Sequence, residues 1–339
     1  MPASINNPAD MPQPRRAEIE IDGERLGYAL VECDVRSDEQ RQRDATRGAL
    51  AGDLIIIIPG HGQTADSALR LIHTSAQHSK SQVAWCVDID PPVGGDPVKA
   101  RAMPLIVQRH LPALLAAGAP APGAPAPEAP AAEAPGAETP AAGAAQQVTL
   151  FGWSHGGAEA LRTAEAAPQL IPHVVGLCPA GLLQRSVFEL LLSFLVESIH
   201  LVLVALKRGD PAYLRSVLSM GANIVQGVYG DVRRTHSLSR AWRDICWTAR
   251  KASGPHTSYT GTVGILFGAQ DRVIRWRDVF PGCRDTGEIG QWLPQLQAAD
   301  FPCVTELQVE ALPGNHLSPE TDAIFCLTAL RLAGQLTAP

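Results

Sequence analysis

Residues 151–160 read FGWSHGGAEA, which sets Ser154 among Gly152, Gly156 and Gly157 with His155 beside it. A serine hydroxyl is a poor nucleophile until a base takes its proton, and the base needs a carboxylate to hold its tautomer. Ten histidines compete for that role. His155 shares a tight turn with Ser154, so its ring diverges from the serine Oγ; its backbone N–H is the useful part, facing the oxygen of a carbonyl attacked by Ser154. His316, in LPGNHLSPE, fits the base better, because it follows the last predicted strand and precedes Ser318-Pro319, a cap and first-turn pair that starts the final helix. The carboxylate is expected at another strand end between serine and histidine. Asp271 in GILFGAQDRV meets that requirement, whereas its rivals Asp278 and Asp300 close no hydrophobic strand. A second amide for the same oxygen comes from IIIIPGHGQTADS, through the N–H of Gln63 with Gly62 as the alternative. His61 and Trp153 are the expected substrate contacts. Each residue also has a plainer reading: a capping serine, a surface histidine, a turn aspartate.

Chemistry of this kind needs a rigid frame. AEIEIDGERLGYALVECD (17–34) reads as two short strands around the Asp22-Gly23 turn. LIIII (54–58) is a continuous β-branched run with no polar face, as a central strand covered on both sides requires. VAWCVDI (83–89), QVTLF (147–151), HVVGLCP (173–179), TVGILFG (262–268) and VTELQVEAL (304–312) continue the set, and helices are expected over 66–78, 97–116 and from the serine turn to Pro168. Strand alternating with helix predicts an α/β fold with a mostly parallel sheet and helices on both faces. Ser154 then sits where a buried strand turns sharply into a helix, a place that demands glycine on either side.

Two blocks interrupt the alternation. Residues 117–146 are almost wholly Ala, Pro, Gly and Glu, too rich in proline for a helix and too poor in large apolar groups for a core. They read as a disordered insertion, a solvated linker with a partner-binding segment as the alternative. Residues 182–252 contain no convincing strand and read as a helical cap. Within them FELLLSFLVESIHLVLVAL (188–206) is long and apolar enough to suggest a membrane span, yet Glu189, Ser193, Glu197 and His200 draw one polar stripe along it. A lone spanning helix disfavours two glutamates at its centre, so a cap over the sheet is expected, with a lipid-contacting lid as the alternative. The core is expected over 17–181 and 253–339.

Composition excludes several classes. The 339-residue chain is 45% hydrophobic, enough for a sizeable core, and its net charge of −6 comes without long runs of like charge, so neither nucleic acid nor an anionic membrane is an expected partner. Seven cysteines, odd in number and without a CxxC pair, suit a reducing compartment. The leader, residues 1–16, has no apolar core region and reads as neither signal peptide nor membrane segment, which makes the cytoplasm the default expectation. No HExxH, P-loop or cysteine–histidine metal spacing is present, so no cofactor is expected.

The order of strand and HG loop, G-x-S-x-G-G, strand-end Asp, then His in a late loop resembles the α/β-hydrolase superfamily over about residues 17–339, apart from the Ala/Pro insertion. The resemblance implies Ser154 as nucleophile, Asp271 as acid, His316 as base, and residues 182–252 as a cap inserted after the sixth strand. Two features depart from it: the long Ala/Pro insertion, and the long stretch from Asp271 to His316. Serine rather than aspartate as nucleophile argues against the dehalogenase and epoxide-hydrolase branches. The expected activity is hydrolysis of an ester or thioester of an apolar or acyl substrate, with acyl transfer, carbon–carbon cleavage or ligand reception on the same fold as alternatives. A dinucleotide-binding oxidoreductase is the remaining rival: Gly60, Gly62 and Ala65 fit G-x-G-x-x-A after a strand. Asp88 lies 28 residues after Gly60, however, further than the spacing of about 20 that motif uses.

Overall fold

The sheet begins with a hairpin. β1 (Arg15–Ile21) and β2 (Glu24–Asp34) are joined by Asp22 and Gly23, both at positive φ (51° and 82°). A two-residue turn of that hand matches the twist of the strands it joins, and aspartate followed by glycine tolerates it best. β1 starts two residues inside the expected leader, because Arg15 and Arg16 pair with Leu30 and Ala29 at the sheet edge.

The computed structural model describes residues 14–60, 65–90, 100–117, 146–209 and 256–337, with isolated positions 214, 217, 218 and 246. Most of the expected leader, of the Ala/Pro insertion and of the second half of the cap, together with His61, Gly62 and Gln63, lie outside the described residues.

After α1 (Asp38–Arg47) the chain enters β3 (Leu54–Ile58), then α2 (Leu69–His78), β4 (Val83–Asp90), α3 (Ala102–Ala116), β5 (Val148–Trp153), α4 (His155–Ala166) and β6 (His173–Leu177). A long helix, α5 (Val187–Arg208), follows β6, and the sheet resumes with β7 (Thr262–Gly268). Then come α6 (Trp276–Val279), α7 (Leu293–Asp300), β8 (Glu306–Leu312), α8 (Ser318–Thr321) and α9 (Ala323–Leu332). α3 begins at Ala102 behind the uncapped Arg101, the expected start at 97 lying outside the described residues, and α2 is preceded by a 3₁₀ turn, Ala65–Ala68.

The eight strands form one sheet in the order β1-β2-β4-β3-β5-β6-β7-β8. β2 runs antiparallel to β1 and β4; every pairing from β4 through β8 is parallel. The order reverses at β3, which the chain leaves toward β4 before crossing back to β5. Loops that follow two strands flanking such a switch leave the same edge in opposite directions and open a crevice between them.

β3 explains how the sheet is held. Leu54, Ile56 and Ile58 contribute to the apolar cluster on one face, with Trp85, Leu150, Met103 and Leu161. Ile55 and Ile57 contribute to the other, with Phe151, Leu71, Phe325 and Ala329. Ile55, Ile56 and Ile57 are wholly buried, and each such side chain contributes about 1.5–3 kcal/mol by leaving water. Ile56→Ala is therefore expected to cost about 2–5 kcal/mol, the transfer loss plus the cavity it leaves; a fall in the urea midpoint at unchanged slope checks this.

Candidate active site

Ser154 stands between β5 and α4 with φ 53° and ψ −118°, a conformation that L side chains avoid. Three backbone hydrogen bonds impose it. The Ser154 N–H donates to the Leu177 carbonyl (2.9 Å), while its own carbonyl accepts from Ala180 (2.8 Å) and Gly157 (2.9 Å). The turn closes only because its flanking residues lack side chains. A Cβ on Gly156 would lie 2.3 Å from the Ile58 carbonyl oxygen at the end of β3, and one on Gly152 would lie 2.3 Å from the Gly156 oxygen. These glycines let α4 approach the switch point and lift Oγ from the strand end, at a helix N-terminus whose dipole favours negative charge.

His316 comes from the loop after β8 and Asp271 from the loop after β7. Those loops are stitched together, Ala269 donating to Leu312 (2.7 Å) and Gln270 to Gly314 (2.8 Å). The His316 loop folds on itself as well: Asn315 donates its N–H to Ser318 Oγ (2.8 Å), and its side-chain oxygen accepts from Leu317 (2.9 Å). The result is a continuous path. Asp271 Oδ2 lies 2.8 Å from His316 Nδ1, and His316 Nε2 lies 3.0 Å from Ser154 Oγ. Asp271 Oδ1 accepts from the N–H groups of Val273 (2.7 Å) and Ile274 (2.9 Å), which fixes the carboxylate plane. All three side chains are buried, Ser154 and His316 at 5% exposure and Asp271 at 4%.

Burial alone would depress the basicity of His316. The charge of Asp271 and its hydrogen bond outweigh that, with Glu197 adding to them, so the imidazole sits above its ordinary 6.5. Chemically, this arrangement is one that could take a proton from Ser154 Oγ and hold the imidazolium that would form.

The rival carboxylates are engaged elsewhere. Asp278 pairs with Arg275 (2.9 Å) and Arg185 (3.4 Å), and Asp300 ends α7. The His155 ring points along α4, where Nε2 lies 3.0 Å from Glu159 Oε1 and both groups are buried. Its amide opens the helix beside Ser154. Trp153, expected as a substrate contact, is buried, and its Nε1 donates to the His316 carbonyl (3.1 Å), so it supports the His316 loop instead.

Three neighbours of the site escaped sequence reasoning. Phe194 and Glu197, both on α5, touch His316: the Phe194 ring meets the imidazole edge-on at 5.8 Å, and Glu197 Oε1 accepts from the His316 N–H at 3.4 Å. The polar stripe on α5 held the signal for Glu197. The same stripe divides in function, for Glu189 closes a capping box with Ser186 at the start of the helix. Cys178, just past β6, is the third. Its Sγ lies within 4.8 Å of ligand atoms of Asp271 and His316. Burial, and then the Asp271 charge, push its thiol well above the ordinary range, so it is a neutral packing group rather than the thiolate a metal requires.

The sheet order, the reversal at β3, the glycine-flanked serine turn after β5 and a helical insertion between β6 and β7 together describe one known architecture. The chain has the α/β-hydrolase fold. Among solved structures, its backbone matches the N-formylmaleamic acid deformylase of Pseudomonas putida S16 with a TM-score of 0.50 at 13% identity, covering 94% of this chain and 100% of that one. It is also similar to a hydrolase from Pseudomonas aeruginosa (TM-score 0.47, 13% identity, 93% and 98% covered). A third is an α/β hydrolase from a Medee basin deep-sea metagenome (0.46, 13%, 95% and 99%). No protein-family model matches the sequence, and no curated protein does. Between β6 and β7, α5 has Glu197, Leu201 and Ala205 buried and Leu195, Ile199 and Leu203 exposed.

The serine turn gives a direct test. Gly156→Ala drives a Cβ into the backbone of β3, whereas Gly290→Ala meets nothing within 4 Å. The first is expected to lower thermal stability sharply or prevent folding, and the second to leave the melting temperature within about 2 °C, since surface changes fall within about 0.5 kcal/mol; parallel melting curves decide it.

Proposed function

We propose that this chain is a serine hydrolase that cleaves an ester or thioester of an apolar acyl substrate through a Ser154 acyl-enzyme. The observation that carries the proposal is the unbroken path from Asp271 through His316 to Ser154 Oγ, at 2.8 and 3.0 Å.

In this reading His316 Nε2 takes the Ser154 proton as Oγ attacks the substrate carbonyl, and Asp271 holds the proton on Nδ1. The oxyanion is received by the His155 N–H and by an N–H from the loop after β3, that of Gln63 or Gly62. His316 then gives its proton to the leaving alcohol or thiol as the carbonyl re-forms. Water, deprotonated by the same imidazole, attacks the acyl-serine; the acid departs and Ser154 regains its proton. The apolar substrate class is supported by α5, where Phe194 stands over the base and the rest of the helix is dominated by Leu, Val, Ile and Phe. A cytoplasmic location belongs to the same proposal, supported by an odd number of cysteines, none of them joined in a disulfide among the described residues. A ligand receptor on the same fold is the second reading, favoured by how fully Ser154 and His316 are buried.

Hydrolysis of p-nitrophenyl esters from acetyl to palmitoyl tests the proposal. Ser154→Ala and His316→Ala are each expected to lower kcat/KM at least about 10³-fold, whereas His155→Ala, which keeps the backbone N–H, is expected to lose less than about tenfold. Comparable losses for His155→Ala and a mild effect for His316→Ala contradict the assignment. Tight binding of an acyl ligand without turnover by the wild type favours the receptor.

The pH profile follows from the same geometry. A base must be neutral to accept a proton, and the Asp271 charge holds the His316 imidazole above its ordinary range. The wild-type kcat/KM is therefore expected to fall on acidification with a midpoint above that of a free imidazole, at full substrate stability; an acid limb below that of a free imidazole contradicts it.

A further inference from the structure

The cap helix grips the base at two points. Phe194 and Glu197 are three residues apart and so share one face of α5; one meets the His316 ring and the other its backbone N–H. Around them the helix sorts by contact: Leu190, Glu197, Leu201 and Ala205 are buried, while Phe188, Leu195, Ile199 and Leu206 are exposed. Glu197 is thus the one charged side chain on the buried seam of the described helix, at 2% exposure.

This carboxyl is poorly satisfied. Oε1 has a long hydrogen bond of 3.4 Å, and Oε2 is buried with no hydrogen-bond partner among the described residues. Burying an oxygen in this way destabilises a fold, and an apolar residue of the same volume would suit the seam better. A group kept at such a cost beside a reacting centre is one whose contribution lies in the chemistry rather than in stability.

We propose that Glu197 is a positioning residue through which α5 holds the catalytic base: its carboxyl anchors the His316 backbone and places a second negative charge by the imidazole, so the base is aligned only while the cap helix is in place. The inference rests on the Ser154 acyl-enzyme reading. The charged and titratable groups that bear on Glu197 are Asp271 and Arg272 from the loop after β7, His316 from the loop after β8, and Cys178 beyond β6. Burial first, and then the Asp271 charge, raise Glu197 above the ordinary carboxyl range, while His316 and Arg272 oppose that rise. Its negative charge in turn favours the imidazolium that forms when Ser154 gives up its proton. Removing the charge lowers the affinity of His316 for that proton, so the acid limb of the rate profile moves to lower pH.

Glu197→Met and Glu197→Gln test this with a p-nitrophenyl ester, by kcat, KM and pH profile beside melting curves. Methionine keeps the volume without the charge or the acceptor. It is expected to melt no lower than the wild type while losing about tenfold in kcat, with KM changed less than about threefold. Glutamine keeps an oxygen for the His316 N–H and is expected to recover most of kcat. Both variants move the acid limb down by a few tenths of a pH unit or more. An unchanged kcat and acid limb in both overturns the inference, as does a lower melting temperature with full activity per folded molecule. If the wild type turns over no ester, the acyl-enzyme reading has failed. The link is then read by NMR titration of His316: a lower pKa in Glu197→Gln upholds it, and an unchanged pKa sinks it.

Discussion

The backbone of Ser154, at φ 53° and ψ −118°, is held in a conformation that serine adopts only where its surroundings impose it. Here the imposing groups are backbone partners on β6 and in the turn after it, Leu177 and Ala180, and the first turn of α4. The strain is sustained because the elements around it are too well packed to relax. β5 and β3 are buried throughout, and Gly156 brings α4 against the carbonyl end of β3 at a distance no side chain would allow. Without that close approach the helix would stand off the sheet and the hydroxyl would lose its place before His316.

The remaining parts fall into position through sheet order. β7 and β8 are neighbours in parallel register, Gly268 opposite Leu312, so Asp271 and His316 leave adjacent strand ends. β5 lies two strands from β7, and the turn after β5 projects its serine toward them at the same carboxyl edge. The helix inserted between β6 and β7 crosses this edge and contributes apolar contact, through Phe194, and a buried carboxyl. His316 is therefore fixed from three directions: Asp271 on its ring nitrogen, Trp153 on its carbonyl and Glu197 on its amide.

Much of this was legible in the amino-acid order, for identifiable physical reasons. A run such as LIIII has one stable fate in a soluble fold, and glycines on both sides of a serine after such a run mark a turn too tight for side chains. Asp271 and His316 were candidates because each follows the end of a strand, so the sheet itself makes them neighbours. Trp153, Phe194 and Glu197 are different. The contact of Trp153, at the end of β5, depends on how the His316 loop folds back over that strand end, and those of Phe194 and Glu197 on how a helix far along the chain lies over the sheet; no local pattern encodes either. Glu197 stood out only as part of a polar stripe, which divides into a cap residue at one end and a buried contact at the other. The two-residue shift at the start of β1 has a similar origin, since the extra pairing comes from β2 and not from the preference of Arg15 or Arg16.

The central claim is that Ser154 is activated by His316 inside a preformed site, and covalent trapping addresses it without knowledge of the substrate. The protein would be treated with a fluorophosphonate, which phosphorus-labels only an activated serine, and the adduct located by peptide mass mapping. The account predicts one adduct, on Ser154, that forms far more slowly in the His316→Ala variant. An adduct on a different serine, or labelling of Ser154 that proceeds at full rate without His316, would contradict it.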